Sequence, residues 1–131
     1  MNTLLTTQQQ LDVLNRGTVL ASLGKANSNA PAGGQLNALA GAYPYAMQVV
    51  EIRWSYIGAG AIVNPVDGEV FLDGVSLGTW QVPAAAASGA TGVVTVDAFM
   101  FNPGATLHTD VGGGSGNPAG IIAVTVGLVP A

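Results

Sequence analysis

Cysteine is absent from this 131-residue chain. Its absence excludes disulfides, thiolate metal sites and cysteine nucleophiles, and leaves the redox compartment open. Charge is nearly as scarce. Asp, Glu, Lys and Arg make up 8% of the residues, against about 25% in a typical soluble domain. Only Arg16, Lys25 and Arg53 are basic, and the net charge is −4. Neutralising phosphates takes several cations, so nucleic acid is not an expected partner. An anionic membrane surface is set aside on the same ground. Long apolar runs are missing as well. A bilayer span needs roughly 18 or more consecutive apolar residues. Residues 83–96 come nearest, but Pro83, Gly89 and Gly92 interrupt them. No secretory signal is read at the start, where a positive segment and an apolar segment should follow each other.

What remains is small and apolar: 49% of the residues are hydrophobic and 19 are glycine. So little charge leaves little to keep a free surface soluble and patch-free. One reading is that other protein covers much of that surface. The other is an ordinary Ala/Gly-rich domain. The length suits one domain with an appended arm.

Residues 66–82 carry the firmest local signal. Two short apolar runs flank Asp73-Gly74. Such a two-residue loop suits a type I′ turn, in which both central residues need φ > 0. Val70, Leu72, Val75 and Leu77 give it β-rich flanks. Alternation then predicts a strand over 47–57, with Val50, Ile52, Trp54 and Tyr56 on one face and Val49, Glu51, Arg53 and Ser55 on the other. A short strand is predicted over 61–63, ended by Asn64-Pro65. Another runs over 91–101, with Val93, Thr95, Asp97, Phe99 and Phe101 sharing a face. Asn102-Pro103-Gly104 is a turn. Strands follow over 105–111 and 121–129, separated by a Gly-rich loop at 112–120 that reads as flexible. The expected fold is all-β: an antiparallel β-sandwich or jelly roll spanning 46–131.

Residues 1–45 read differently. Thr7 and Gln10 can form a capping box, Leu11 and Leu14 share a helix face, and Gly17 suits the C-terminal stop. A short helix is expected over about 8–16, too short to be stable alone. Residues 18–45 show no clear period. They form either a disordered tail or an extended arm that orders against a partner. The spaced Leu20, Leu23, Leu36 and Leu39 favour the arm. Its expected partner-contacting residues are Leu11, Leu14, Leu20, Leu23, Leu36 and Leu39, with Tyr43 and Tyr45 packing the arm down at its junction with the domain.

The run Val-Val-Thr-Val-Asp-Ala-Phe-Met-Phe-Asn-Pro-Gly-Ala-Thr-Leu, the preceding Asp-Gly hairpin, the Gly-rich loop and the final apolar strand together resemble small jelly-roll domains of tailed-phage virion proteins. These include capsid decoration (cement) proteins and, as a second choice, fibre heads. The resemblance covers roughly 46–131, and its motifs name a class. It implies a homotrimer on a particle surface, with the major capsid protein as partner and an N-terminal arm reaching across capsomers. It also implies a virion protein made in the host cytoplasm. No functional residue carries over from it.

Candidate chemistry is thin. His108 and Asp110 sit at i, i+2 on one strand, but two ligands are too few for a closed metal site. Asp67, Glu69 and Asp73 fall short of a calcium ligand set, and turn chemistry accounts for the two Asp-Gly pairs. Glu51 has Arg53 on its own face and is read as its ion-pair partner rather than half of a carboxylate pair. Asp97 points to solvent or to a partner subunit. No serine sits in a Gly-x-Ser-x-Gly elbow, and the Gly-rich run lacks the lysine of a phosphate loop. No enzyme, metal or cofactor is expected. Trp54, Trp80, Tyr43, Tyr45 and Tyr56 admit a glycan-platform reading, hence the alternative of an adhesion module. For Trp54 and Tyr56 the apolar strand face points to the core instead.

Overall fold

The computed structural model describes residues 19–29, 34–35, 39–40 and 46–130. They form nine strands: β1 (Val19–Asn27), β2 (Gly34–Gln35), β3 (Leu39–Ala40), β4 (Met47–Gly58), β5 (Val66–Leu72), β6 (Val75–Val82), β7 (Thr91–Phe101), β8 (Thr106–Gly113) and β9 (Gly120–Pro130). No helix occurs among the described residues. The strands make two antiparallel sheets. The first has the order β1-β9-β4-β7, and the second β2-β8-β5-β6, with β3 also pairing β8.

The central hairpin forms as its sequence dictates. Leu72 pairs with Val75, and Asp73 and Gly74 take φ of 48° and 83°, the left-handed pair that a type I′ turn needs. Alternation in β9 also survives intact. Ile122, Val124, Val126 and Leu128 are all fully buried. Ala61 and Val63, by contrast, flank buried Ile62 in a loop and form no strand.

In β4 the alternation breaks. Met47 and Val49 are buried, and then Ile52, Trp54 and Tyr56. The reason is a bulge: Val49 pairs with Phe99, whereas Glu51 pairs with Thr95. Val50 is the extra residue on β4, and 96–98 are the extra residues on β7. A bulge switches the inward face on both strands. Val49 therefore faces the core, against the sequence expectation. In β7 the inward set passes from half-buried Val94 and Val96 to Phe99 and Phe101, while Thr95 and Asp97 stay exposed.

Residues 19–27, expected in the arm, are instead the edge strand of the first sheet, paired along β9 from Val19–Leu128 to Asn27–Ile121. Leu23 is fully buried in the shared core, and Leu20 is 53% exposed. Burying a leucine side chain is worth about 1.5–3 kcal/mol, so β1 is anchored by its own packing. Leu39 lies in β3, whose backbone pairs with β8 at Leu107. Leu11, Leu14, Leu36, Tyr43 and Tyr45, and the helix expected over 8–16, lie outside the described residues.

One core cluster takes side chains from both sheets. Its largest rings sit over glycines. Trp80 pairs across the strands with Gly68, and Trp54 with Gly92. A Cβ at either glycine would overlap the indole. The glycines let each ring lie flat against the neighbouring backbone. The indole N–H of Trp80 donates to Thr109 Oγ1 at 2.8 Å, which satisfies a buried polar atom.

Candidate functional site

Two surfaces stand out, and each follows from strand register. The first is the outer face of the second sheet. Period-2 alternation turns Asp67, Glu69 and Phe71 of β5 outward. Register sets Gln81 opposite Asp67, Asp110 opposite Glu69 and His108 opposite Phe71. With Asp73 in the adjoining turn, this face collects four acids and, among the described residues, no Lys or Arg. Directly opposed like charges, as at Glu69 and Asp110, are destabilising in a sheet.

Local partners hold these acids. Gln81 Nε2 donates to Asp67 Oδ1 at 2.7 Å, and Ser76 Oγ donates to Glu69 Oε2 at 2.6 Å. Thr106 N donates to Asp73 Oδ1 at 2.9 Å. His108 Nε2 lies 3.7 Å from Asp110 Oδ1 and stacks on Phe71 with ring centroids 5.2 Å apart. Among the described residues no group of three or more His, Asp or Glu could hold a metal ion. No described hydrogen bond joins His108 to a hydroxyl. An open depression of about 1120 Å³ touches this face at Asp67, Glu69, Gln81 and Asp110 and reaches Trp54 and Gly92.

On the first sheet, Arg53 Nε donates to Glu51 Oε1 at 2.9 Å, the pair expected from their shared face. Trp54 (8% exposed), Trp80 (2%) and Tyr56 (0%) are core residues, so none offers a ring face on which a sugar could stack.

The second surface is the end of the molecule where β1, β4, β6 and β8 finish and β5, β7 and β9 begin. The loops 59–65, 83–90 and 114–119 meet there, together with Ser28 and Asn29. Such loops leave many backbone groups without a ladder partner. Asn117, 7% exposed, supplies what they need. Its Oδ1 accepts from Val63 N at 2.8 Å and Asn64 N at 2.7 Å. Its Nδ2 donates to Ser28 O at 2.9 Å and Asn64 O at 2.8 Å. All four hydrogen-bonding sites of the amide are used.

Further bonds close the knot. Ser28 Oγ donates to Pro118 O at 2.8 Å, and Tyr56 Oη donates to Gly60 O at 2.6 Å. Asn64 Nδ2 donates to Ser115 O. The Gly-rich segment, expected to be flexible, is folded into this network. Gly113, Gly114 and Gly116 take φ near +80°, and Gly114 is buried. Glycine accounts for its shape rather than for motion.

The loops at this end carry no charge: residues 54–66, 74–96 and 111–131 contain no Asp, Glu, Lys, Arg or His. The signal is visible in the sequence, as long uncharged stretches. That the stretches converge is not visible there. Asn117 gives even less warning, since Asn-Pro after glycines reads simply as a turn.

No family model matches the chain, and neither does any curated protein. Among solved structures it is similar to the insecticidal delta-endotoxin Cry8Ea1 from Bacillus thuringiensis, at 12% identity and a TM-score of 0.48 over 87% of this chain and 19% of that one. It is also similar to the Agl-KA catalytic domain, at 13% identity and a TM-score of 0.47 over 88% of this chain and 26% of that one. The chain thus spans only 19% and 26% of the length of these two structures.

Proposed function

We propose that the protein is a non-enzymatic virion structural protein, a jelly-roll homotrimer that decorates and stabilises a phage capsid. The observation that carries this reading is the scarcity of charge: 8% of residues are charged, and the loops 59–65, 83–90 and 114–119 have none. A surface of that kind is suited to contact with protein rather than to permanent solvation. Stabilisation works through area buried between subunits, at roughly 25 cal/mol per Å² before association costs are subtracted. In this reading the segments before Val19 and between Ala30 and Tyr45 fasten the domain to the major capsid protein. Leu23 is buried inside the folded domain, whereas Leu20 on the edge strand is 53% exposed and stays open to that contact.

Co-sedimentation with empty tailed-phage capsids tests the reading. The full chain is expected to pellet with the particles and to raise their unfolding temperature. A chain lacking residues 1–17 keeps every strand from β1 onward and is expected to stay in the supernatant. Full-strength binding by the truncated chain overturns the role of the N-terminal segment. Failure of the full chain to bind any capsid overturns the function.

A further inference from the structure

We infer that Asp73-Gly74 is a backbone modification site, at which the folded chain closes a succinimide and reopens it as isoaspartate, and that Asp67-Gly68 is not. The chain has two Asp-Gly pairs. In such a pair no side chain shields the glycine nitrogen from the aspartate carboxyl. Local sequence therefore offers both pairs, and the fold separates them. Asp67-Gly68 lies inside β5, which is paired on both sides. Gly68 faces Trp80 of β6 and Val111 of β8. It is buried, and the Trp80 indole lies over it. Gln81 Nε2 holds Asp67 Oδ1 at 2.7 Å. Turning that peptide toward its own carboxyl means opening a central ladder, one of the costliest local openings in a sheet protein.

Asp73-Gly74 is placed otherwise. Both residues are exposed. Among the described residues the Gly74 N–H takes part in no hydrogen bond, and a Cβ built on Gly74 would meet nothing within 4 Å. The peptide between them can rotate without opening a ladder pair or meeting a wall. The carboxyl is held where it can react. Thr106 N donates to Asp73 Oδ1 at 2.9 Å, which steadies the charge that develops on this oxygen as Cγ is attacked. Oδ2 has no partner among the described residues. The Gly74 nitrogen bonds to Cγ of the protonated carboxyl, and the nitrogen's proton leaves with the Oδ2 hydroxyl as water. Water then opens the ring at the Asp73 main-chain carbonyl, so the chain runs on through Cβ and Cγ. Composition is unchanged, and no oxidant or cofactor is consumed. The product has one more methylene in the main chain of a two-residue loop whose length fixes the hairpin register. It also presents a free, exposed α-carboxylate. That is the group an isoaspartyl methyltransferase esterifies, with S-adenosylmethionine as methyl donor.

Ageing the purified full chain at neutral pH and physiological temperature tests this. Isoaspartate is read by methyltransferase labelling, and each site is assigned by peptide mapping with electron-transfer fragmentation. In the native state, label is expected to accumulate at 73 and to stay at its starting level at 67. In denaturing urea both sites are expected to acquire it, because the ladder that protects Asp67-Gly68 is gone. Gly74→Ala, with its fold checked by circular dichroism, is expected to lose the label at 73, since its methyl group crowds the attacking nitrogen. Native protein unlabelled at 73 while the urea sample is labelled there overturns the inference, because the turn then protects the pair. Equal native labelling at 67 and 73 overturns it too, as does a folded Gly74→Ala labelled at the wild-type rate. A urea sample labelled at 73 alone also overturns it, by assigning the choice to local sequence rather than to the fold. None of these outcomes bears on capsid binding.

Discussion

At the end of the molecule that carries Asp73-Gly74 and residues 102–105, the chain reverses within a few residues and bonds to itself. Asp73 N donates to Thr106 O, and Thr106 N returns a bond to Asp73 Oδ1, both at 2.9 Å. Ala105 N closes its own turn on Asn102 O at 3.0 Å. At the other end the loops are longer, and their backbone groups reach across to other segments. Ile62 bonds to Ala85 and Ala86, Pro65 to Gly114, and Ala59 to Ala119. There the chain needs Asn117, a side chain distant in sequence from every group it satisfies. The contrast teaches that a tight turn satisfies its backbone within itself and with the one turn beside it, whereas the long loops do so through a shared buried hub.

The largest test of that contrast is Asn117→Ala. It strands two N–H donors and two carbonyls in a site with little access to water. At about 1–3 kcal/mol for each buried group left unmade, reduced by whatever water enters, the expected loss is about 3–4 kcal/mol. Urea unfolding reads it directly. A loss like that of an ordinary surface substitution would mean that Asn117 is no hub.

A matched pair of glycine substitutions sharpens the comparison. Gly114 and Gly74 have nearly the same φ, 80° and 83°. A Cβ on Gly114 would meet Ser28 O at 2.6 Å, whereas nothing lies within 4 Å of one on Gly74. Gly74→Ala is expected to cost only the left-handed conformation, about 1 kcal/mol. Gly114→Ala adds a backbone collision, for about 2–3 kcal/mol in total. Equal losses in thermal unfolding would show that the loop end yields as easily as the turn.

The smallest expected effect has the opposite sign. Ala85, in the loop after β6, sits at φ 70°, held there by its N–H bond to Ile62 O at 2.7 Å. Ala85→Gly relieves that conformation and is expected to stabilise the protein by about 0.5–1 kcal/mol, net of glycine's greater freedom when unfolded. A destabilised variant would place the cause in packing of the Ala85 methyl group.

The sequence by itself determined six of the strands, β4 to β9, and the central turn. Alternation in Ile122, Val124, Val126 and Leu128, and the Asp-Gly pair between two apolar runs, act through period 2 and local dihedrals, which need no knowledge of neighbours. It also determined that whole stretches carry no charge. The tertiary structure alone decided which strands are adjacent, and four consequences followed. A bulge at Val50 exchanged the faces of β4. The segment 19–27 was recruited as an edge strand. Trp54 and Trp80 were laid over glycines on neighbouring strands. The uncharged loops were gathered around Asn117 at one end. Each of these depends on pairing between residues far apart in the chain, and the energy that settles such pairing is packing in a shared core, which no local pattern records.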